Sequence, residues 1–300
     1  MTALVALGVS AGATSAGSGS EGVVFVATNH NNTTDRAQPA NQIVMYRRGG
    51  NGSLTLAGRF ATGGQGSGPG MRFAGDGLGS GNSVRLSQDA RFLFVTNAGS
   101  NSVTVFRVMR DGLERTDVVS TGSGKSRRFP NSVTQHGNLV YVLNSADAGS
   151  ITGFRLSSRG TLTPIAGSTR MLAAKQLRYA PDALYNPTQV EFTPDGSKLV
   201  ATIKDRPRKG RVPMTTPTGP GRVLVWDVEW SGQPSAEFTQ TDFENRGPFG
   251  FSFDRKGSPA RPVPGRPERD RQGQAQPDLG RRLVPHQRRP HSDHHHVRCQ

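Results

Sequence analysis

Residues 91–108, RFLFVTNAGSNSVTVFRV, read as two β-strands joined by a tight turn. Phe92 and Phe94 alternate with Leu93 and Val95, and a period of two residues is typical of a strand with two distinct faces. The NAGS sequence in the middle supplies the small, turn-forming residues that a hairpin requires. The stretch therefore predicts a β-hairpin.

The hairpin pattern recurs along the chain. Residues 138–156, NLVYVLNSADAGSITGFRL, keep both strands and the small-residue turn. An earlier copy joins VVFVATN at 23–29 to NQIVMYRR at 41–48. A later copy joins KLVATIK at 198–204 to RVLVWDV at 222–228. The chain is therefore an internal repeat of one strand-rich unit, which decides the fold.

Each unit contains more than the hairpin. A further strand follows the hairpin in the first three copies, at residues 52–60, 111–119 and 159–167. Short segments with an apolar anchor, at Val84, Val133, Val190 and Phe251, stand 49, 57 and 61 residues apart. Four strands in a unit of roughly 40–50 residues are the signature of a β-propeller blade. We therefore predict an all-β fold of four-stranded antiparallel blades, with the anchor segment as the innermost strand of each.

These residues resemble the lactonase-type seven-bladed β-propeller family, which includes 6-phosphogluconolactonases and carboxymuconate cyclases. The similarity extends over about residues 22–257. The stretches that carry it are LGSGNSVRLSQDARFLFVTNAGSNSVTVFRV, HGNLVYVLN, GSITGFRL, PTQVEFTPDGSKLV and PFGFSFDRKG.

The resemblance implies an enzyme without metal or organic cofactor that acts on a small-molecule lactone or carboxylate. It would hydrolyse a sugar-acid lactone, as a 6-phosphogluconolactonase does, or catalyse a related muconate cycloisomerisation. A non-enzymatic propeller used for binding or as a scaffold, and an inactive truncated product, are the alternatives.

Polar residues on the innermost strands are the candidates for a site in the central channel. Opening a lactone needs a general acid or base and a group that stabilises negative charge, so Glu191 could act as the base and Arg85 could bind an anion. Strand alternation could instead turn Arg85 or Glu191 into contacts between blades. The family's inner-strand His and Arg are not found at the matching positions, and no catalytic residue is transferred from the family. The candidate substrate-binding residues are Asn131, Ser132, Thr188 and Gln189.

The formal charge of +15 is concentrated near one end of the sequence. Residues 255–300 carry ten Arg and one Lys against four acidic residues, a net charge of +7, and five of the seven His. Low apolar content and high charge predict a disordered basic tail at 258–300. The tail lacks the interleaved aromatic residues that bind single-stranded nucleic acid, so we expect no specific nucleic-acid partner. Its HSDHHH tract has no scaffold to fix ligands, so we expect no metal site.

The first 21 residues are ambiguous. They resemble a short signal sequence without its basic residues, or a disordered N-terminus. Secreted, periplasmic and cytoplasmic locations therefore all remain open. No apolar run reaches the ~18 residues of a transmembrane span.

The repeat changes character after Gly257. Residues 248–254 read as the innermost strand of a further blade, but the sequence after it has no strand pattern. We expect an incomplete ring of four to five blades out of seven, through C-terminal truncation or a shifted reading frame. Open blade edges are templates for association. We therefore also expect self-association.

Overall fold

The structure is a computed structural model that describes nine segments of the chain. These are residues 22–32, 40–68, 77–122, 128–174, 176, 181–183, 185–204, 220–243 and 247–254. Within these segments the secondary structure consists of β-strands, with no helix. The predicted basic tail at 258–300 and the first 21 residues lie outside them.

In the described segments, sixteen strands form four antiparallel sheets, which we number as blades 1 to 4 in chain order. Blade 1 contains β1 (Gly22–Ala27), β2 (Gln42–Arg48) and β3 (Leu54–Ala61). Blade 2 contains β4 (Val84–Leu86), β5 (Phe92–Asn97), β6 (Ser102–Met109) and β7 (Gly112–Ser120). Blade 3 contains β8 (Pro130–His136), β9 (Leu139–Asn144), β10 (Ser150–Leu156), β11 (Leu162–Pro164) and β12 (Arg170–Met171). Blade 4 contains β13 (Pro187–Phe192), β14 (Lys198–Ile203), β15 (Gly221–Asp227) and β16 (Thr239–Phe243).

The strands within each sheet follow chain order, as in a meander. Blade 2 has the order β4-β5-β6-β7 and blade 4 the order β13-β14-β15-β16, while in blade 3 both β11 and β12 pair with β10. Blade 1 has the order β1-β2-β3 and has no strand, within the described residues, on the inner side of β1. The predicted all-β fold of propeller blades is confirmed.

The predicted anchors occupy one register in three blades. Val84 pairs with Val95 on β5, Val133 pairs with Val142 on β9, and Val190 pairs with Ala201 on β14. The inner strands β4, β8 and β13 are therefore structurally equivalent. Residues 248–254, where the next inner strand was expected, contain one bridge residue, Phe253, and no strand.

Apolar clusters fill the spaces between neighbouring blades. Each cluster contains one aromatic residue from the third strand of blade 2, 3 or 4, and this residue packs toward the preceding blade. These are Phe106, Phe154 and Trp226, none more than 1% exposed. Since burial of a large apolar side chain stabilises a fold by roughly 1.5–3 kcal/mol, contact between blades is a major source of stability.

Carboxylates close the turns between the first and second strands of blades 2 and 4. Asp195 accepts hydrogen bonds from the Thr193 hydroxyl (2.6 Å) and from the backbone and hydroxyl of Ser197. Asp89 accepts equivalent bonds from the Ser87 hydroxyl and the Arg91 amide. The hydroxyl of Thr193 is the main reason that the pKa of Asp195 falls to about 2, and Ser87 likewise lowers the pKa of Asp89.

Candidate active site on the inner strands

The three equivalent inner strands form what we call the channel wall, β4, β8 and β13. Each has one edge paired within its own blade, which leaves the backbone groups of the other edge to find partners elsewhere. For β8 and β13 the preceding blade supplies partners of this kind. The N–H of Val133 donates to the carbonyl of Asn82 (2.9 Å) and that of Val190 donates to the hydroxyl of Ser132 (3.2 Å). Neighbouring blades are thus held in a fixed register along the channel wall.

Arg85 and Glu191 meet across the channel wall. Nη2 of Arg85 donates a hydrogen bond to Oε1 of Glu191, with 2.6 Å between the nitrogen and the oxygen. The side chain of Arg85 is 37% exposed and that of Glu191 is 13% exposed. Arg85 belongs to blade 2 and Glu191 to blade 4, so their contact spans the inner strand of blade 3. Both side chains therefore point toward the region that the inner strands enclose. This is the most enclosed of the ion pairs formed by described residues, since the other pairs have both side chains at least 39% exposed.

Gln189 holds the second oxygen of the same carboxylate. Its Nε2 donates to Oε2 of Glu191 (2.8 Å) and to the carbonyl of Phe251 (2.8 Å), and its Oε1 accepts from the N–H of Phe251 (3.2 Å). The side chain is 4% exposed. Gln189 therefore joins the start of the next blade to β13 and orients the Glu191 carboxylate. Arg85, Gln189 and Glu191 form what we call the channel triad.

The other three candidates lie in the framework around the triad. Ser132 is fully buried and accepts from Val190, as described above. Thr188 is fully buried, and its hydroxyl lies 2.8 Å from the Thr202 hydroxyl and 2.7 Å from the carbonyl of Phe249. Asn131 donates from Nδ2 to the carbonyl of Pro187 (2.9 Å). These three side chains hold neighbouring strands together, whereas the triad contains the ion pair of Arg85 and Glu191.

A segment leading into β4 lies over the N-terminal ends of the inner strands. This segment, residues 77–83, is called the cap segment. The N–H of Gly81 donates to the carbonyl of Thr188 (3.0 Å), and the hydroxyl of Ser80 donates to the carbonyl of Asn131 (2.6 Å). A Cβ on Gly81 would lie 2.8 Å from Oε1 of Gln189. The cap segment therefore approaches the triad closely enough that position 81 has little room for a side chain.

A buried lysine beneath the cap segment was missed by the sequence analysis. Lys204 is 9% exposed, and its Nζ donates to the carbonyls of Ala183 (2.5 Å) and Gly79 (3.4 Å). The ammonium also lies 4.2 Å from the ring centre of Phe249, a cation–π contact. Its position after strand β14 gave no sign of burial, because lysines at strand ends are ordinarily exposed.

Among the described residues no group of three or more His, Cys, Asp or Glu side chains is arranged to hold a metal ion. The HSDHHH tract lies outside those residues. The described part of the chain also contains no helix long and apolar enough to cross a membrane.

The meander sheets, the equivalent inner strands and the apolar blade interfaces define a β-propeller. Residues 69–175 match the family model of the lactonase, a 7-bladed β-propeller. The resemblance seen in the sequence is thereby confirmed over that range, which contains blades 2 and 3 and the Arg85 side of the triad. No curated protein matches this chain significantly.

Solved structures resemble this chain at low sequence identity. A protein from Lactobacillus plantarum is 18% identical with a TM-score of 0.53, over 78% of this chain and 58% of that one. A candidate 6-phosphogluconolactonase from Bacteroides fragilis is 17% identical with a TM-score of 0.47, over 72% and 55%. The periplasmic gluconolactonase of Pseudomonas aeruginosa is 16% identical with a TM-score of 0.45, over 78% and 73%. The chain spans little more than half the length of the first two.

Proposed function

We propose that this chain is a lactonase-like propeller that hydrolyses a sugar-acid lactone at the channel triad. Two findings support the proposal. The chain matches the lactonase family model over blades 2 and 3, and a carboxylate and a guanidinium meet on the inner strands at 2.6 Å. The contact between Arg85 and Glu191 is the observation that carries it, because lactone opening needs a base and a cation in one place.

Hydrolysis at the triad would use Glu191 as the general base. A carboxylate oxygen can accept more than one hydrogen bond, so Glu191 can receive a proton from water while it remains bonded to Arg85 and Gln189. The water oxygen forms a bond to the lactone carbonyl carbon, and the free N–H groups of Arg85 stabilise the negative oxygen that develops. The ring C–O bond then breaks, and the proton held by Glu191 passes to the leaving oxygen. The product is an open hydroxy acid and the carboxylate is regenerated.

Muconate cycloisomerisation is the related reaction within this proposal. It forms a lactone from a carboxylate substrate, and it requires the same cation to bind the carboxylate and the same acid or base to move a proton. A carboxymuconate is therefore tested as a substrate together with the lactones.

A non-enzymatic propeller is the second candidate, and one observation favours it. Both oxygens of Glu191 already have partners in the chain, Oε1 with Arg85 and Oε2 with Gln189. An ion pair with a partner on each carboxylate oxygen also occurs in purely structural networks. In that case the triad joins blade 2 to blade 4 and no reaction takes place.

Steady-state assays of the purified full chain test the enzyme proposal. The substrates are a panel of five- and six-membered aldonolactones, with and without a 6-phosphate, and a carboxymuconate. We expect turnover of at least one lactone by the unchanged protein. Glu191→Gln should lower kcat by about 10²–10⁴-fold because it removes the base, and Arg85→Ala should lower kcat/KM.

Arg47→Ala is the matched control, because Arg47 forms a 2.8 Å ion pair with Asp111 away from the channel wall. Its kinetics should equal those of the unchanged protein. Absence of turnover on the whole panel would reject the enzyme proposal in favour of the structural role. Turnover that Glu191→Gln leaves at full rate would reject the channel triad as the site of hydrolysis.

A further inference from the structure

Two amide side chains from neighbouring blades meet at one backbone oxygen of the cap segment. Nδ2 of Asn131 on β8 and Nδ2 of Asn186, directly before β13, each donate to the carbonyl oxygen of Leu78 at 3.3 Å. Both asparagines are 0% exposed. The Asn131 amide also donates to the carbonyl of Pro187, so its two N–H groups both face oxygen atoms and its orientation is fixed. The two amides therefore form a site with two donors for a single oxygen atom, which we call the amide clamp.

The oxygen atoms of the amide clamp have no hydrogen-bond partner in the structure. Oδ1 of Asn131 and Oδ1 of Asn186 are both buried and both unpaired. A buried acceptor without a donor costs free energy, and nearly all buried polar groups in proteins are paired. The Leu78 carbonyl can bond only to the N–H groups of the clamp. A hydroxyl group both accepts and donates, so a molecule with several hydroxyls has the groups to pair with both ends of each amide.

The clamp is the weakly bonded part of the cap segment. The hydrogen bonds of Gly77, Ser80 and Gly81 to the blades measure 2.5, 2.6 and 3.0 Å respectively. In contrast, the clamp bonds to Leu78 measure 3.3 Å, and the bond from the Lys204 ammonium to the Gly79 carbonyl measures 3.4 Å. Hydrogen bonds of this type are weak beyond about 3.2 Å. The carbonyls of the cap segment are therefore easier to displace at the clamp than at its other contacts.

The amide clamp adjoins the channel triad. Asn186 precedes Gln189 by three residues, so the two residues lie roughly 10 Å apart along an extended chain. Gly81 of the cap segment lies between them, since its N–H donates to the carbonyl of Thr188 and a Cβ on it would lie 2.8 Å from Oε1 of Gln189. An extended six-carbon sugar acid has a comparable length. The cap segment therefore occupies the path of a molecule that contacts both the clamp and the triad.

We propose that the amide clamp binds an oxygen atom of a polyhydroxylated carboxylic acid or its lactone, and that the Leu78 carbonyl takes this place when no ligand is bound. The cap segment is then an internal competitor, which the ligand displaces on its way to the triad. The Leu78 side chain packs on the apolar cluster of Ala98, Phe129 and Ala146, and this contact returns the cap segment to the clamp when the ligand leaves. The inference rests on the proposed function for the chemical class of the ligand.

Competition by the cap segment lowers the apparent affinity for the ligand. A ligand that binds only the open form has an apparent Kd equal to its intrinsic Kd divided by the open fraction. A substitution that opens the cap segment and leaves the clamp intact should therefore tighten binding. Gly79 is the suitable position, because its φ is +61° and a Cβ on it would lie 3.0 Å from the Asn186 amide and 3.1 Å from Cα of Ala183. Gly79→Ala therefore strains the closed form.

Two measurements on the purified full chain test the proposal. The first is hydrogen exchange at the Gly81 amide, which reports opening of the cap segment. The second is calorimetric binding of D-gluconate, an open hydroxy acid that lactone hydrolysis cannot consume. Gly79→Ala should speed Gly81 exchange about 10-fold and tighten gluconate binding by the same factor, because a non-glycine residue in the left-handed region is disfavoured by roughly that amount. Saturating gluconate should also speed Gly81 exchange in the unchanged protein.

Two further variants separate opening from ligand contact. Ser80→Ala removes the 2.6 Å bond to the Asn131 carbonyl without backbone strain, so it should change exchange and binding in the same direction as Gly79→Ala. Asn186→Ala releases the Leu78 carbonyl but removes half of the clamp. It should therefore speed Gly81 exchange and yet weaken gluconate binding by about 10-fold.

Gly137→Ala is the matched control for Gly79→Ala. Gly137 has a φ of +55° in the turn between β8 and β9, and no heavy atom lies within 4 Å of a Cβ built on it. The substitution introduces the same backbone strain away from the cap segment. Its Gly81 exchange and its gluconate affinity should equal those of the unchanged protein, and circular dichroism confirms the fold of every variant.

Several results would overturn the amide clamp as a ligand site. These are unchanged Gly81 exchange in both Gly79→Ala and Ser80→Ala, full gluconate affinity in Asn186→Ala, gluconate that slows Gly81 exchange, and absence of gluconate binding. The enzyme proposal fails separately from this inference. Gluconate binding with the expected variant effects but no lactone turnover rejects the enzyme proposal alone, whereas turnover with the same KM in Gly79→Ala as in the unchanged protein rejects the clamp alone.

Discussion

Blade 3 and blade 1 are built from the same residue pattern, yet only blade 3 has neighbours on both sides in the described structure. Phe154 of blade 3 is 0% exposed, and Tyr46, its equivalent in blade 1, is only half-buried. The strands pair in equivalent ways in both sheets. The hairpin pattern therefore determines the sheet, while the neighbouring blade determines how much each apolar residue stabilises it.

The largest expected effect compares one substitution at these two equivalent positions. Phe154→Ala should lower the free energy of unfolding by about 3–5 kcal/mol, since it removes a fully buried ring and leaves a cavity. Tyr46→Ala should cost about 1 kcal/mol, because part of that side chain already contacts water. Urea denaturation of dilute protein measures both. Equal costs would mean that the neighbouring blade does not provide the stabilisation.

A smaller effect is expected where the contacts are local and no neighbouring blade takes part. Asp195 in the first turn of blade 4 has a pKa of about 2, below the 3.8 of an unperturbed Asp. Because the folded-state pKa is the lower one, the charged form stabilises the fold at pH values above about 4, and this contribution is lost as the pH falls toward about 2.

Asp195→Asn tests this turn. The urea midpoints of the variant and the unchanged protein should differ modestly at pH 7 and converge as the pH falls from 4 to 2. A difference that stays constant through this range would show that the carboxylate charge does not contribute. Asp89→Asn should behave in the same direction, since Ser87 lowers the pKa of Asp89 through an equivalent bond.

The sheets could be predicted from sequence because the strand pattern is local. Alternation within residues 91–108, and its copies, was enough to place the hairpins, and the anchors Val84, Val133 and Val190 do occupy one register. Three of the four expected innermost strands, β4, β8 and β13, were therefore identified correctly, and with them the strand positions of Arg85 and Glu191.

The contacts between blades could not be predicted in the same way. The anchor spacings of 49, 57 and 61 residues do not determine how far each inner strand is shifted along its own direction relative to the inner strand of the next blade. The bond from Val190 to Ser132 and the pairing of Gln189 with Phe251 depend on that shift. The cap segment has no periodic pattern, so nothing in its sequence indicated that it crosses two blades.

Hydrogen exchange at two equivalent backbone amides tests the general form of this comparison, namely that the neighbours of a strand, and not its own residue pattern, determine how strongly the strand is protected. The N–H of Thr96 on β5 donates to the carbonyl of Ser83 at 3.0 Å. Ala27 on β1 occupies the same register, and β1 pairs only with β2 among the described strands. We predict that the Thr96 amide exchanges at least about 100-fold more slowly than the Ala27 amide, since a bonded amide exchanges only on opening. Equal exchange rates at the two positions would contradict the claim.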